Sequence, residues 1–337
     1  MPAFEKGELI NDNGGYAEIY KARRSIYAPE GSIYGSVRLN RVKEFEDICI
    51  KEIVLSASDD AEENLKEINA ILYEAYLHAL LYRSLDNAGL QSIVPKIYEI
   101  VATSTTGAPA VSPAEIASIW INMELLEGTT LDKWLQVKFR NTTRAANSAL
   151  LRKILIQLAT ILDHLQSTLE FNHRDLKVNN VFVRHHAVPW SRTIGAATFD
   201  IDLVLIDFGF GCVACGSGFP NPRGTLLGAG NYFRPEDDCL KVGRDLAHFL
   251  YSLHCLFPLE ELLERDLYAL LHSAMRANRG ARTYDLWMGV DAIGNPLVGP
   301  RPRIIRFNNG IYHFLRDGCS EVPGCAPRAI LTALGAV

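Results

Sequence analysis

Hydrophobic positions follow two different patterns along the chain. Short apolar or alternating runs predict β-strands on both sides of a turn-forming centre at 11–15 within 8–20, and further strands at 46–55, 93–101, 119–126, 181–183 and 203–206. Leucine and isoleucine at helical spacing predict helices at 61–85, 148–169, 243–256 and 259–275. Strands with one helix therefore come first, and helices with one minor strand pair follow. This order predicts an α+β fold rather than alternating βαβ units.

Three stretches show neither pattern. Residues 25–45 predict an extended connection, and 103–113, which is rich in Ser, Thr, Ala and Pro, predicts a hairpin loop. Residues 184–199 contain His185 and His186, and we interpret this polar stretch as a solvated insertion.

Composition narrows the class of protein but names no chemistry. The chain has 337 residues, 48% hydrophobic and 22% charged, which suits an ordinary globular protein with a real core. Its 34 Lys and Arg against 39 Asp and Glu leave no basic field, so bulk charge argues against a nucleic-acid partner. The sequence shows no apolar run of roughly 18 residues, so we expect no membrane span. Its start does not resemble a secretion signal, so we expect an intracellular protein, cytoplasmic or nuclear.

The cysteines support the same compartment. Seven of them are scattered along the chain, which favours a reduced protein over a disulfide framework. Cys212 and Cys215 have the spacing of half a zinc site, but no matching ligands lie nearby in the sequence. We therefore interpret both as incidental thiols.

The most informative segment reads HRDLKVNN from His173 to Asn180, and we call it the HRD loop. It follows the long predicted helix and precedes a short predicted strand. The triplet D-F-G begins at Asp207, after the next strand, and Ile48-Cys49-Ile50-Lys51 lies on an early strand. These motifs, in this order, resemble those of eukaryotic-type protein kinases, and the chain is identified as a divergent Ser/Thr-kinase-like member.

The resemblance covers about residues 9–275 and implies a bilobal fold. Residues 1–126 would form a β-rich N-lobe with one main helix. Residues 127–275 would form the core of a larger helical C-lobe, and 276–337 a C-terminal extension that completes it or packs on it. The resemblance also implies ATP and a protein as substrates, and Mg²⁺ as cofactor. It leaves the oligomeric state open.

Roles for the motif residues follow from the resemblance. Asp175 would accept the proton of the substrate hydroxyl, and Lys177 would contact the transferred phosphate. Asn180 and Asp207 would hold Mg²⁺, which prefers oxygen ligands. After D-F-G, Arg234-Pro235-Glu236 keeps part of the family's A-P-E element, and Asp245 would brace the HRD loop.

Lys51 would neutralise the α- and β-phosphates, and an acidic residue of the following helix would hold the Lys51 ammonium in place. Glu74 is the expected partner, with Glu67 in reserve. The glycine loop is degraded: Gly14 keeps the middle glycine, but Asp12 and Ala17 occupy the outer positions. The expected nucleotide-binding residues are Gly14, Gly15, Ile19, Cys49, Lys51, Met123, Glu124, Leu126 and Phe182.

Three functions stay open at this point. The first is an active protein kinase that transfers the γ-phosphate of ATP to Ser or Thr hydroxyls, with Ser217 or Thr225 as candidate regulatory phosphosites. The second is a catalytically impaired scaffold of the same fold, which the degraded glycine loop favours. The third is a small-molecule kinase, which Lys177 and the long 209–236 segment argue against.

Overall fold

A computed structural model describes residues 4–14, 17–34, 37–56, 61–88, 90, 92–140, 142–194, 197–213, 240–276 and 321–337. The protein is α+β, with a β-rich N-terminal region and a helical C-terminal part, as predicted. It divides into two compact units. Unit 1 contains residues 1–75 and 95–126, and unit 2 contains residues 76–94 and 127–337.

Unit 1 is built on an antiparallel sheet of five strands in the order β1-β2-β3-β5-β4. The strands are β1 Phe4–Gly14, β2 Ala17–Tyr34, β3 Val37–Val54, β4 Ile97–Thr103 and β5 Ser118–Glu124. Ala22, Ile48 and Ile50 are buried on this sheet because alternate residues of a strand share one face. The helix α1 Ala61–Asn87 begins in unit 1, and its residues from Tyr76 onward belong to unit 2.

One prediction for unit 1 is wrong. Residues 25–45 were expected to form an extended connection, but 25–34 lengthen β2 and 37–45 lengthen β3, and the two strands pair from Glu18↔Glu52 to Tyr34↔Val37. Regular backbone pairing carries this ladder past Pro29, which lies beside one of its two register shifts.

Unit 2 contains most of the helices around α3. The helices are α2 Leu131–Lys138, α3 Arg144–Leu169, α4 Arg244–Leu256, α5 Leu259–Leu262, α6 Arg265–Arg276 and α7 Pro327–Ala333. The strands are β6 Gly128–Thr130, β7 Val181–Arg184, β8 Arg192–Ile194, β9 Ala197–Phe199 and β10 Asp202–Leu205. Strands β10, β7 and β6 form one small sheet, and β8 and β9 form a separate hairpin.

Helix α3 is the core helix of unit 2. Thr143 caps its first turn by accepting a hydrogen bond from the Ala146 amide, and Glu170 ends it in a left-handed conformation. Among the described residues, α3 alone has the length and hydropathy of a membrane span. More than half of that apolar window is buried inside the fold, which is the usual state of a core helix in a soluble protein.

Candidate active site

One buried carboxylate of α4 holds the HRD loop through hydrogen bonds to its backbone. Asp245 is fully buried and accepts hydrogen bonds from the backbone amides of His173 (2.8 Å) and Arg174 (2.9 Å) and from Asn172 Nδ2 (3.2 Å). A buried carboxylate is stable only when such donors surround it. The structure therefore places Asp245 where the sequence predicted a brace for this loop.

Three predicted site residues meet within the loop. Asp175 Oδ2 accepts a hydrogen bond from Lys177 Nζ at 2.8 Å and one from Asn180 Nδ2 at 3.0 Å. Asn180 Nδ2 also donates to the backbone carbonyl of Asp175 at 2.9 Å. The Asp175 side chain is 15% exposed, so it is shielded yet reachable from solvent. This arrangement fixes a carboxylate, an ammonium and an amide at one point of the surface.

The residue before Asp207 is tied to the same loop. The Ile206 amide donates to the Asn180 carbonyl at 3.1 Å, and the Ile206 carbonyl lies 3.1 Å from His173 Nε2. Asp207 itself is exposed and has a φ of 64°, which is uncommon for a residue other than glycine. These backbone contacts place Asp207 directly after a segment anchored on the HRD loop.

Phe208 packs into the interior of unit 2 beside these residues. Its ring centroid lies 4.9 Å from that of His78 on α1, 5.3 Å from that of His173 and 6.5 Å from that of Phe171. Phe208 is 1% exposed. This buried aromatic side chain limits how far the preceding Asp207 can move.

Unit 1 contains a separate ion pair. Lys51 Nζ on β3 donates to Glu74 Oε1 on α1 at 2.5 Å, and both side chains are largely buried. The reserve candidate Glu67 accepts instead from the backbone amide and the hydroxyl of Ser56. Of the two carboxylates proposed from the sequence, Glu74 is therefore the one that contacts Lys51.

The other residues expected to bind a nucleotide lie in several places. Gly14 ends β1, Gly15 falls outside the described residues, and Ile19 pairs with Lys51 across β2 and β3. Cys49 pairs with Met123, and burial raises the pKa of its thiol to about 11.

Three further candidates flank the ends of strands. Glu124 is the last residue of β5, and it exchanges hydrogen bonds with Lys96, whose amide donates to Glu124 Oε2 at 3.2 Å. Leu126 ends unit 1. Phe182 lies on β7 in unit 2, where it pairs with Thr130 of β6.

Several predictions fall on 214–239 and 277–320, which lie outside the described residues: Cys215, Ser217, Thr225, the Arg234–Glu236 element and most of the C-terminal extension. Cys212 is described, and it is disulfide-bonded. The prediction of a reduced, incidental thiol is therefore wrong for Cys212. This residue is fully buried, and its backbone pairs with that of Asn172, so its sulfur has a fixed position.

Sequence reasoning missed a buried charge cluster behind the loop. The Asp202 carboxylate is fully buried and lies 2.8 Å from His186 Nε2, 3.5 Å from Arg192 Nη2 and 3.7 Å from Arg184 Nη1. The interpretation of 184–199 as solvated is wrong for Arg184 and Arg192, whose side chains are only 13% exposed, whereas His185 and His186 are exposed as predicted. The residues meet only through the fold, and no local pattern could have signalled the cluster.

The donor set can be compared with the cofactor expected from the sequence. Among the described residues, no group of three or more His, Cys, Asp and Glu side chains is arranged to hold a metal ion. The expected pair, one carboxylate and one amide, is smaller than such a group. No protein-family model matches the chain.

Proposed function

We propose that the protein is an ATP-dependent protein kinase that transfers the γ-phosphate to Ser or Thr hydroxyls of protein substrates. The contact of Asp175 with both Lys177 and Asn180, on a loop held by Asp245, is the observation that carries this proposal. A shielded carboxylate beside an ammonium suits a reaction whose catalysis is mostly positioning and charge neutralisation. We also propose an intracellular location.

Each side chain of the loop would have a separate task. Asp175 would orient the substrate hydroxyl and accept its proton. Lys177, which is partly exposed, would extend its ammonium toward the transferred phosphate. Because Lys177 already contacts Asp175, a phosphate bound there would lie beside the proton acceptor.

The donor set fits Mg²⁺. Asn180 directs its amide nitrogen toward Asp175, which leaves its carbonyl oxygen for a cation, and Asp207 offers an exposed carboxylate. Both are oxygen donors, the class that Mg²⁺ prefers. When bound there, Mg²⁺ would supply positive charge for the phosphates of ATP.

Lys51 would contribute positive charge to the α- and β-phosphates, and Glu74 would fix the direction of its ammonium. A lysine held in one rotamer by a largely buried carboxylate is pre-organised for an anion.

A scaffold without phosphotransfer is the second candidate. Its supporting observation is the sequence between β1 and β2, where Asp12 and Ala17 replace two glycines that would let a backbone approach phosphate. An acidic Asp12 near a nucleotide would also repel it. A thermal-shift titration with Mg-ATP separates the candidates, because a ligand stabilises a protein only by binding its folded state.

The decisive test is phosphorylation of a Ser/Thr peptide library with Mg-ATP and the purified chain. We expect transfer by the wild type, and its loss in Asp175→Asn and Lys51→Ala. Asp163→Asn changes a partly exposed helix residue that pairs with Arg328, and this matched control should keep full activity. Full activity in Asp175→Asn would contradict the mechanism. Transfer to aminoglycosides, choline or sugars in place of peptides would instead identify a small-molecule kinase.

A further inference from the structure

Helix α4 directs three polar side chains at the HRD loop from one face. Asp245, His248 and Ser252 are spaced i, i+3 and i+7, so they form one stripe. Asp245 holds the amides of His173 and Arg174, as described above. Ser252 Oγ accepts from the Val178 amide at 3.0 Å and donates to the carbonyl of Phe249. The two outer members of the stripe therefore hold the two ends of the segment 173–178.

The middle member, His248, lies under Asp175. Its side chain is 1% exposed, and its Nε2 atom lies 4.0 Å from Asp175 Oδ1. The hydrogen bonds from Lys177 and Asn180 both end on the other oxygen, Oδ2. The two oxygens of this carboxylate are thus distinguished: one faces two donors, and the other faces an imidazole.

The imidazole is uncharged at physiological pH. Burial lowers the pKa of His248 to about 4, with smaller lowering by Lys177 and His173 that opposes the raising effect of Asp175. A neutral ring adds no cation next to Oδ1. This oxygen therefore keeps its capacity to accept a proton from a hydroxyl.

Proton transfer to Asp175 requires that its carboxylate does not rotate away from the substrate hydroxyl. The Cβ–Cγ torsion of an aspartate is soft and has a broad distribution, so hydrogen bonds to a single oxygen leave it room to turn. A rigid, polar group packed against the second oxygen removes that freedom. Misplacement of a reacting group by about 1 Å can lower a rate on the order of 100-fold.

We propose that His248 is a positioning residue for Asp175, a buried polar ring that keeps Oδ2 on Lys177 and Asn180 and aims Oδ1 for proton transfer. This rests on the proposed function, because it assigns Asp175 the role of proton acceptor. The H-R-D motif does not signal it, since His248 lies 73 residues further along the chain.

The experiment compares His248→Leu, His248→Gln and His248→Asn with the wild type, by peptide phosphorylation and thermal unfolding. Leu fills a similar volume without a polar atom. Gln places its amide near the position of Nε2, whereas Asn places its amide near Nδ1. His254→Leu changes a histidine of the same helix away from the loop and serves as the control, expected to keep the wild-type kcat.

We expect His248→Leu to lower kcat about 10- to 100-fold, with the KM for ATP changed less than about 2-fold and the melting temperature nearly unchanged. His248→Gln should stay within about 3-fold of wild type, and His248→Asn should resemble the Leu variant. If the Leu variant fails to fold, the difference between Gln and Asn still decides.

Three results would overturn the proposal. These are a wild-type kcat in the Leu variant, equal activity of the Gln and Asn variants, or losses of kcat that follow losses of melting temperature. In each case an active wild type would leave the proposed kinase function standing. A wild-type protein with no turnover would overturn both.

Discussion

Asp202 is a buried charged residue of unit 2 whose loss should cost several kcal/mol of stability, about 3–5 kcal/mol. Its carboxylate is fully buried between Arg184, Arg192 and His186, and both arginine side chains are only 13% exposed. Burial lowers the pKa of Arg192 and the neighbouring Arg184 lowers it further, whereas Asp202 raises it. Asp202 therefore compensates two guanidinium groups that otherwise repel each other in a dry environment.

Asp202→Ala removes that compensation and leaves the two cations in place. Breaking a buried ion pair from one side costs about 3–5 kcal/mol, because the remaining charge has lost both water and partner. Two arginines share the carboxylate here, so we expect the upper half of this range, about 4–5 kcal/mol in the free energy of unfolding. For a unit of this size, each kcal/mol corresponds to about 2–4 °C in melting temperature.

The assay is urea unfolding followed by circular dichroism, with thermal unfolding alongside. Asp200→Ala is the matched control, because Asp200 lies two residues away and its pair with Lys153 is exposed on both sides. Exposed pairs contribute about 0–1 kcal/mol, so this variant should unfold almost like the wild type. A loss below about 1 kcal/mol in Asp202→Ala, or equal losses in the two variants, would refute the reasoning.

Three further predictions follow from the described contacts. Glu74→Gln should lower kcat/KM for ATP by about 10-fold or more, because it releases the Lys51 ammonium. Glu67→Gln should instead lower stability and leave kcat/KM near the wild-type value, and steady-state kinetics of both variants check this. Gly243→Ala should destabilise the protein beyond the about 1–3 kcal/mol that a strained backbone conformation alone costs. The glycine has a φ of 76°, and the added Cβ would lie 2.0 Å from the Val322 carbonyl oxygen. Urea unfolding measures this loss. Cys49 should resist alkylation by iodoacetamide at pH 8, because burial raises the pKa of its thiol to about 11 and the thiolate is the reactive form. Peptide mapping after alkylation at rising pH checks this, and fast alkylation of Cys49 at pH 8 would contradict it.

Local patterns were enough to predict the α+β order, and the resemblance of the motifs to those of protein kinases implied the brace at Asp245. Helical spacing over 148–169 corresponds to α3, because a core helix must show its apolar face in sequence. Asp245 could be predicted because it opens a helix shortly after an A-P-E-like element. The sequence also favoured Glu74 over Glu67, one heptad earlier on the same helix, and Glu74 is the one that contacts Lys51.

Long-range packing explains what the sequence could not predict. Residues 25–45 carry turn-forming residues, and only the backbone ladder of β2 and β3 makes them strand. Arg184 and Arg192 look like members of a solvated polar stretch, because a charged residue gives no local sign that it packs on a buried partner such as Asp202. His248 is missed for the same reason, since nothing near it in the chain points to Asp175.

Backbone strain supports the assignment of a function to the HRD and D-F-G motifs. Non-glycine residues with positive φ in the described part of the chain are Ser92, Glu170, Arg174 and Asp207. Glu170 simply ends α3, but Arg174 and Asp207, both at 64°, lie in the two motifs. Such conformations cost on the order of 1–3 kcal/mol each and persist only where the surroundings over-determine them.

The surroundings do so at both positions. The Arg174 amide is bonded to Asp245, and the segment before Asp207 is bonded to His173 and Asn180. Contacts that hold two strained residues contribute less to stability than the same contacts would around relaxed backbone. Their arrangement is therefore better explained by the placement of Asp175, Asn180 and Asp207 than by stability.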